Sequence, residues 1–356
     1  MHNQTLYTIL KHYIKGEELP YTVVKELTVS DWENLYKTST QQGVVAIVYG
    51  MILPLANDVA LPRNIKLKWA LHAENIERRT LKQHKIANEL TDIYKAVNID
   101  TVVLKGLGLG EYYPIPKQRE CGDFDCYLFD NYQKGIDCAK ANGATISHID
   151  YKHAQLSYKG LNIEIHKYFT SFRGGKSKHT FEQMLNSLIR KHPCKYIGKE
   201  SNILQANPTF NAIFIIYHTL FHFLFESVKL RHIMDWGLLV KAERDMIDWK
   251  LFNRVCEEHK MLKFAEAITS ICNDYLGFDI DIPIKTNIEY RDKVLLDIMS
   301  ITDGVSNKRG WSRRIQLLKN TYKSRWKYKL IDTTFIADLT KRGFYFLFSN
   351  DKLKTS

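Results

Sequence analysis

Along the first 98 residues apolar side chains recur every three or four positions, as in Leu6, Ile9, Leu10 and Tyr13 and again in Ile86, Leu90, Ile93, Tyr94 and Val97. That spacing gives a helix one apolar face. Pro20, Pro54 and Pro62 punctuate the run, because proline ends or kinks a helix. From about residue 99 the period drops to two. TVVL (101–104), DFDCYLF (123–129), ATISHI (144–149), AQLSY (154–158) and LNIEIHKY (161–168) read as strands, with helical stretches after Gly106 and over 131–141 and a hairpin turn at Lys159-Gly160. Beyond Pro208 the helical period returns over 210–226, 230–244, 249–260 and 263–275. The pattern predicts an α+β protein: a small mixed sheet within residues 99–200, flanked by helical regions over 1–98 and 201–356. The polar stretch 171–180 between sheet and helices reads as a loop able to act as a lid.

Alternation also fixes which strand positions share a face. Asp123 and Asp125 point one way and Phe124 and Cys126 the other; Glu164 and His166 share the face opposite Ile163 and Ile165. Neighbouring carboxylates repel each other, so a cation is expected between them. If the Glu164 strand pairs beside the Asp123 strand, three acids meet and can hold one or two divalent ions bridged by a nucleoside triphosphate (NTP). Ahead of them, Lys105-Gly106-Leu107-Gly108 follows TVVL, a setting in which backbone N–H groups approach an anion.

The order of strand, LKG, an Arg, GD-hydrophobic-D and hydrophobic-E-hydrophobic-H resembles the bacterial nucleotidyltransferase family of the polymerase-β-like superfamily, in its "family 5" branch. A helical region leading into LKG, and a later helix with His218 and His222 followed by Arg231 and Asp235, extend the resemblance over roughly 25–245. The chain departs from the wider superfamily at Lys105-Gly106, where Gly-Ser is usual. The resemblance implies transfer of a nucleoside monophosphate from an NTP to an acceptor hydroxyl with release of pyrophosphate. Asp123, Asp125 and Glu164 are then the metal ligands and catalytic groups, with Mg²⁺ or Mn²⁺ as the ion. Lys105, Gly106, Gly108, Arg119, Gly122 and His166 form the nucleotide-binding set. The acceptor stays open among a small molecule, RNA and protein.

Two readings compete. One is a nucleotide- or nucleic-acid-binding protein of this fold without turnover. The other is a metal phosphohydrolase centred on His218, His222 and Asp235, since two histidines one helical turn apart can chelate a metal. The apolar helix around them argues instead for structural histidines, and Arg231 and Asp235 are spaced for an i,i+4 pair.

Composition narrows this picture little. A formal charge of +12 favours anionic partners. Between 308 and 329 lie nine basic residues and no acid (Lys308, Arg309, Arg313, Arg314, Lys319, Lys323, Arg325, Lys327 and Lys329) with Trp311, Tyr322, Trp326 and Tyr328 among them. That stretch reads either as an anion-binding surface or as a solvated helix face with its aromatics packed inward. Six cysteines without a C-x-x-C pair, and an N-terminus lacking a secretory pattern, point to a cytoplasmic protein with reduced thiols. The most apolar segment, 212–225, is shorter than a membrane span and contains two histidines, so a buried helix is expected and no transmembrane segment.

Overall fold

The computed structural model describes residues 2–170, 176–191, 194–198, 201–300 and 324–331. Four helices come first: α1 (His2–Lys15), α2 (Val29–Gln41), α3 (Val45–Ile52) and the 34-residue α4 (Arg63–Ala96). Thr28 starts α2 with a capping box, exchanging hydrogen bonds with Asp31 three residues on. The middle of the chain alternates. It holds β1 (Thr101–Val103), the one-turn α5 (Leu107–Gly110), β2 (Phe124–Tyr127), α6 (Tyr132–Ala141), β3 (Thr145–Ile149), β4 (His153–Tyr158), β5 (Leu161–His166), α7 (Lys176–Lys191), β6 (Lys195–Tyr196) and β7 (Ile203–Gln205). Then come α8 (Pro208–Phe225), α9 (Leu230–Glu243), α10 (Trp249–Glu258), α11 (Leu262–Asp274) and α12 (Ile288–Met299), with a 3₁₀ segment at Ser324–Ile331. The result is an α+β fold whose one mixed sheet has helices on both flanks, as the pattern predicts.

Among the described residues seven strands lie in the order β3-β4-β5-β2-β1-β7-β6. β2 is central, parallel to β5 and antiparallel to β1. One face of the sheet packs on α4 and α6 through Val103, Phe124, Cys126, Leu90 and Ile136. The other meets the C-terminal helices through Val102, Tyr127, Leu204, Phe210 and Phe214. Alternation in DFDCYLF predicts a strand with one polar face, yet all four β2 residues are buried. Helices cover both sides of a central strand, so the polar face is enclosed rather than wet. Helix α4 links the two cores: Ile65, Trp69 and Ile76 join the helical one, and Ile86, Leu90 and Tyr94 the sheet-side one.

The stretch 171–180 divides: 176–180 open α7, and 171–175 lie outside the described residues. In the basic stretch, 308–323 also lie outside them. Lys327 is not solvated. It is buried, and its Nζ donates to the Phe223 carbonyl at 2.9 Å and to Asp297 Oδ2 at 2.6 Å. A buried ammonium needs such acceptors. Helix α8, capped by Asn207 Oδ1 accepting from Phe210 N, is the one helix among the described residues long and apolar enough to cross a membrane, and 61% of it is buried inside the fold.

Candidate functional site

Strand register assembles the site. Asp125 of β2 lies directly opposite Glu164 of β5, and Tyr127 opposite His166, so Asp125, Glu164 and His166 share the face turned towards the C-terminal helices. His166 Nε2 stands 3.0 Å from Asp125 Oδ1 and 3.7 Å from Glu164 Oε2. One ligand atom from each of the three lies within 4.8 Å of the others, and this is the one such group among the described residues. Asp123, one residue before β2, is half-buried and stands outside it. On β4, Gln155 pairs with Glu164 and its Nε2 donates to Glu164 Oε1 at 3.1 Å.

A lysine already sits among these acids. Lys105 follows β1, and its Nζ lies 3.1 Å from Asp125 Oδ1. Burial lowers the Lys105 ammonium, but Asp125, Glu164 and Asp123 outweigh that and hold it above its ordinary value. Burial raises Asp125, yet Lys105 and His166 keep it below the usual carboxylate range. Glu164 is pushed up to about 7, first by burial and then by the Asp125 charge. Burial brings His166 down to about 4, despite its hydrogen bond to Asp125. The cluster thus contains an ionised carboxylate, a neutral imidazole, an ammonium and a carboxyl poised near neutrality.

Gly106 has φ +55°, a conformation most side chains avoid, and a Cβ there would stand 3.1 Å from Cys121 Sγ and 3.2 Å from the Asp123 carbonyl. Glycine therefore lets the turn press against the segment carrying Asp123. Gly108 serves packing, since a Cβ on it would meet Val103 Cγ1 at 2.6 Å.

Arg119 shares a cavity wall with Lys105 and Asp125, and its guanidinium is paired with Asp235. Its Nε and Nη2 grip Asp235 Oδ1 and Oδ2 at 2.8 and 2.7 Å, and Tyr113 Oη donates to Oδ1 at 2.7 Å. The expected Arg231–Asp235 pair is replaced by this one. Arg231 Nη1 instead donates to the Glu120 carbonyl at 2.8 Å, because α9 presents Asp235 to the loop before β2 rather than along its own surface.

The two histidines of α8 are not a separate site. A cavity of about 210 Å³ has Lys105, Asp125, His218, His222 and Asp235 on its wall. His222 Nδ1 is 2.6 Å from Glu226 Oε2, and the His218 and His222 rings meet edge to face at 4.3 Å. Neither belongs to a three-ligand group among the described residues. A larger cavity, about 560 Å³, opens beside the 120–123 segment and reaches Arg79, Lys82, Lys229 and Arg231.

Sequence reasoning missed Gln155, Lys82 and Lys229. Gln155 was within reach, since alternation through AQLSY and the hairpin turn place it beside Glu164. The two lysines were not, because their approach to the site depends on how α4 and α9 pack.

No curated protein and no solved structure matches the chain. Over residues 28–277, from α2 through the sheet to just past α11, it matches the family described as an uncharacterised nucleotidyltransferase. That match spans well over half of the sequence and contains every residue of the acidic cluster, and the chain belongs to this uncharacterised nucleotidyltransferase family.

Proposed function

We propose that the protein transfers a nucleoside monophosphate from an NTP to an acceptor hydroxyl, using Mg²⁺ or Mn²⁺ and releasing pyrophosphate. The observation that carries this reading is the register of Asp125 against Glu164 with His166 alongside, facing the Lys105-Gly106 turn. The donor set fits a divalent ion. Two carboxylates suit Mg²⁺, and the imidazole extends the fit to Mn²⁺. Asp125, Glu164 and His166 would hold the ion, with Asp123 at its margin. When bound, it would offset phosphate charge and acidify the attacking hydroxyl.

The chain's own groups carry the remaining work. Lys105 turns its ammonium from Asp125 to the phosphates, and the Gly106 turn lets backbone approach them. As the hydroxyl oxygen bonds to the α-phosphorus, the bridge to the β-phosphorus breaks and its electron pair leaves on pyrophosphate. The hydroxyl proton passes to Glu164, through the carboxylate oxygen that does not hold the ion. Arg119 acts from behind, holding the 116–123 segment on α9 through Asp235.

The phosphohydrolase alternative has less support: Asp235 is occupied by Arg119, and the α8 histidines lack a third ligand among the described residues. The test is pyrophosphate release from each NTP with Mg²⁺ or Mn²⁺, in a host extract that supplies the acceptor. Asp125→Asn should reduce turnover about a hundredfold or more while retaining the fold. Equal rates in the two proteins would refute the mechanism, and NTP binding without turnover would favour the binding-only reading.

A further inference from the structure

The larger cavity has an unbalanced wall. Arg79 and Lys82 from α4, with Lys229 and Arg231 at the start of α9, surround it; the acids are Glu120 and Asp123. Arg79 lies 3.0 Å from Glu120 Oε1 and Arg231 3.7 Å from Glu120 Oε2. Lys82 and Lys229 have no ion-pair partner among the described residues. Two polar atoms on this wall are also buried without a hydrogen bond: Arg231 Nε, a donor, and Gln83 Oε1, an acceptor.

The lining of this cavity differs from that of its neighbour. Lys105, Gly106 and Asp125 line only the smaller cavity. The two cavities share the segment Glu120, Cys121, Gly122 and Asp123, together with Arg231. Asp123 therefore stands where they join, the place where an acceptor on one side would meet a nucleotide on the other.

We infer that the larger cavity is the acceptor subsite and that it selects a small hydroxyl compound bearing a phosphomonoester. This rests on the nucleotidyl-transfer reading for the word acceptor, but not for the phosphate. Four cations against two acids leave an excess that matches a phosphomonoester, which carries about −1.5 to −2 charges near neutral pH. Arginine and lysine donors suit its oxygens. The hydroxyl is the group that nucleotidyl transfer itself requires of an acceptor.

The test is calorimetric titration of the full chain, without NTP or divalent ion, with glycerol 3-phosphate and with glycerol. Glycerol 3-phosphate should bind and glycerol should not. Lys82→Gln and Lys229→Gln should each weaken binding about tenfold, roughly 1.4 kcal/mol. Lys250→Gln, an exposed cation on α10 away from both cavities, should leave it unchanged. No binding of glycerol 3-phosphate, or equal binding in the intact protein and both cavity variants, would overturn the inference. So would metal-free ATP displacing the probe and losing affinity equally in both variants, because the cavity would then belong to the nucleotide. Tighter binding of a 5′-phosphorylated oligoribonucleotide, lost in the same variants, would overturn the small-molecule assignment in favour of RNA. Absence of pyrophosphate release alongside intact phosphomonoester binding would refute nucleotidyl transfer alone.

Discussion

Arg119 and Asp235 offer the sharpest test of how the site is held. Their side chains are 6% and 4% exposed and meet through two parallel hydrogen bonds, at 2.8 and 2.7 Å. Arg119→Met keeps much of the stem's bulk but strips its charge, leaving a buried carboxylate with only the Tyr113 hydroxyl. Breaking a buried pair from one side costs about 3–5 kcal/mol, whereas an exposed pair contributes about 1 kcal/mol or less. Urea unfolding followed by circular dichroism at pH 7 should therefore show a loss of several kcal/mol in Arg119→Met. The double variant Arg119→Met/Asp235→Leu should lose clearly less than the sum of the two single changes, since no charge is orphaned. The pH dependence has a definite sign. Burial raises Asp235, but Arg119 outweighs it and holds the carboxyl below its ordinary 3.8. The folded value lies under the unfolded one, so the pair's stabilisation is complete above that ordinary value and fades as pH falls through the folded one. The gap between intact protein and Arg119→Met should thus be widest near neutrality and narrow in acid. A loss below about 1 kcal/mol at pH 7, or strict additivity in the double variant, would refute the buried-anchor argument.

Two further outcomes follow from the turn before α5. Gly106→Ala puts a methyl group at φ +55°, 3.1 Å from Cys121 Sγ, and should cost about 1–3 kcal/mol in denaturant unfolding; a neutral result would mean the turn yields without strain. Lys105→Met removes the ammonium 3.1 Å from Asp125, so Mn²⁺ titrated into NTP-free protein should bind about tenfold tighter while NTP binding weakens; unchanged or weaker Mn²⁺ binding would show that Lys105 does not compete for the cation position.

Much of the fold was legible because most elements carry their own periodicity. Helices α8 to α11 begin and end within about two residues of the stretches that three- and four-residue spacing predicts, and β2 and β5 contain the alternation that identifies them. Most of the elements that escaped have a weak local signal; α12, whose Tyr290, Val294, Leu295 and Ile298 recur at helical spacing, is the exception. β7 is three residues, ILQ, and exists as a strand through its parallel pairing with β1. β6 is two residues against β7. Helix α7 opens inside a polar stretch that composition marks as loop, and its amphipathic face emerges only further along, where Phe181, Leu185 and Leu188 reach the core.

The chemistry was legible at a different level. Alternation along one strand is local, so the shared face of Glu164 and His166 could be read directly. The pairing of β5 beside β2 could only be supposed, and with it the meeting of Asp125 and Glu164. What the sequence could not convey was the competition among charges once helices enclosed that face. A cation among the acids was expected to be a metal ion; in the structure Lys105 takes part of that role. An arginine three residues before Gly122 suggested a phosphate contact; in the structure α9 supplies Asp235 as a partner for it. The histidines of α8 offered a rival metal site, yet the packing of α8 on the sheet makes them a wall of the same cavity as Asp125. The first two cases turn on which opposite charge the packing brings within reach in a confined space, and that depends on contacts between residues as distant as 105 and 125, or 119 and 235. Local spacing can nominate charged groups for a site, but only tertiary packing decides which of them remain available to a substrate.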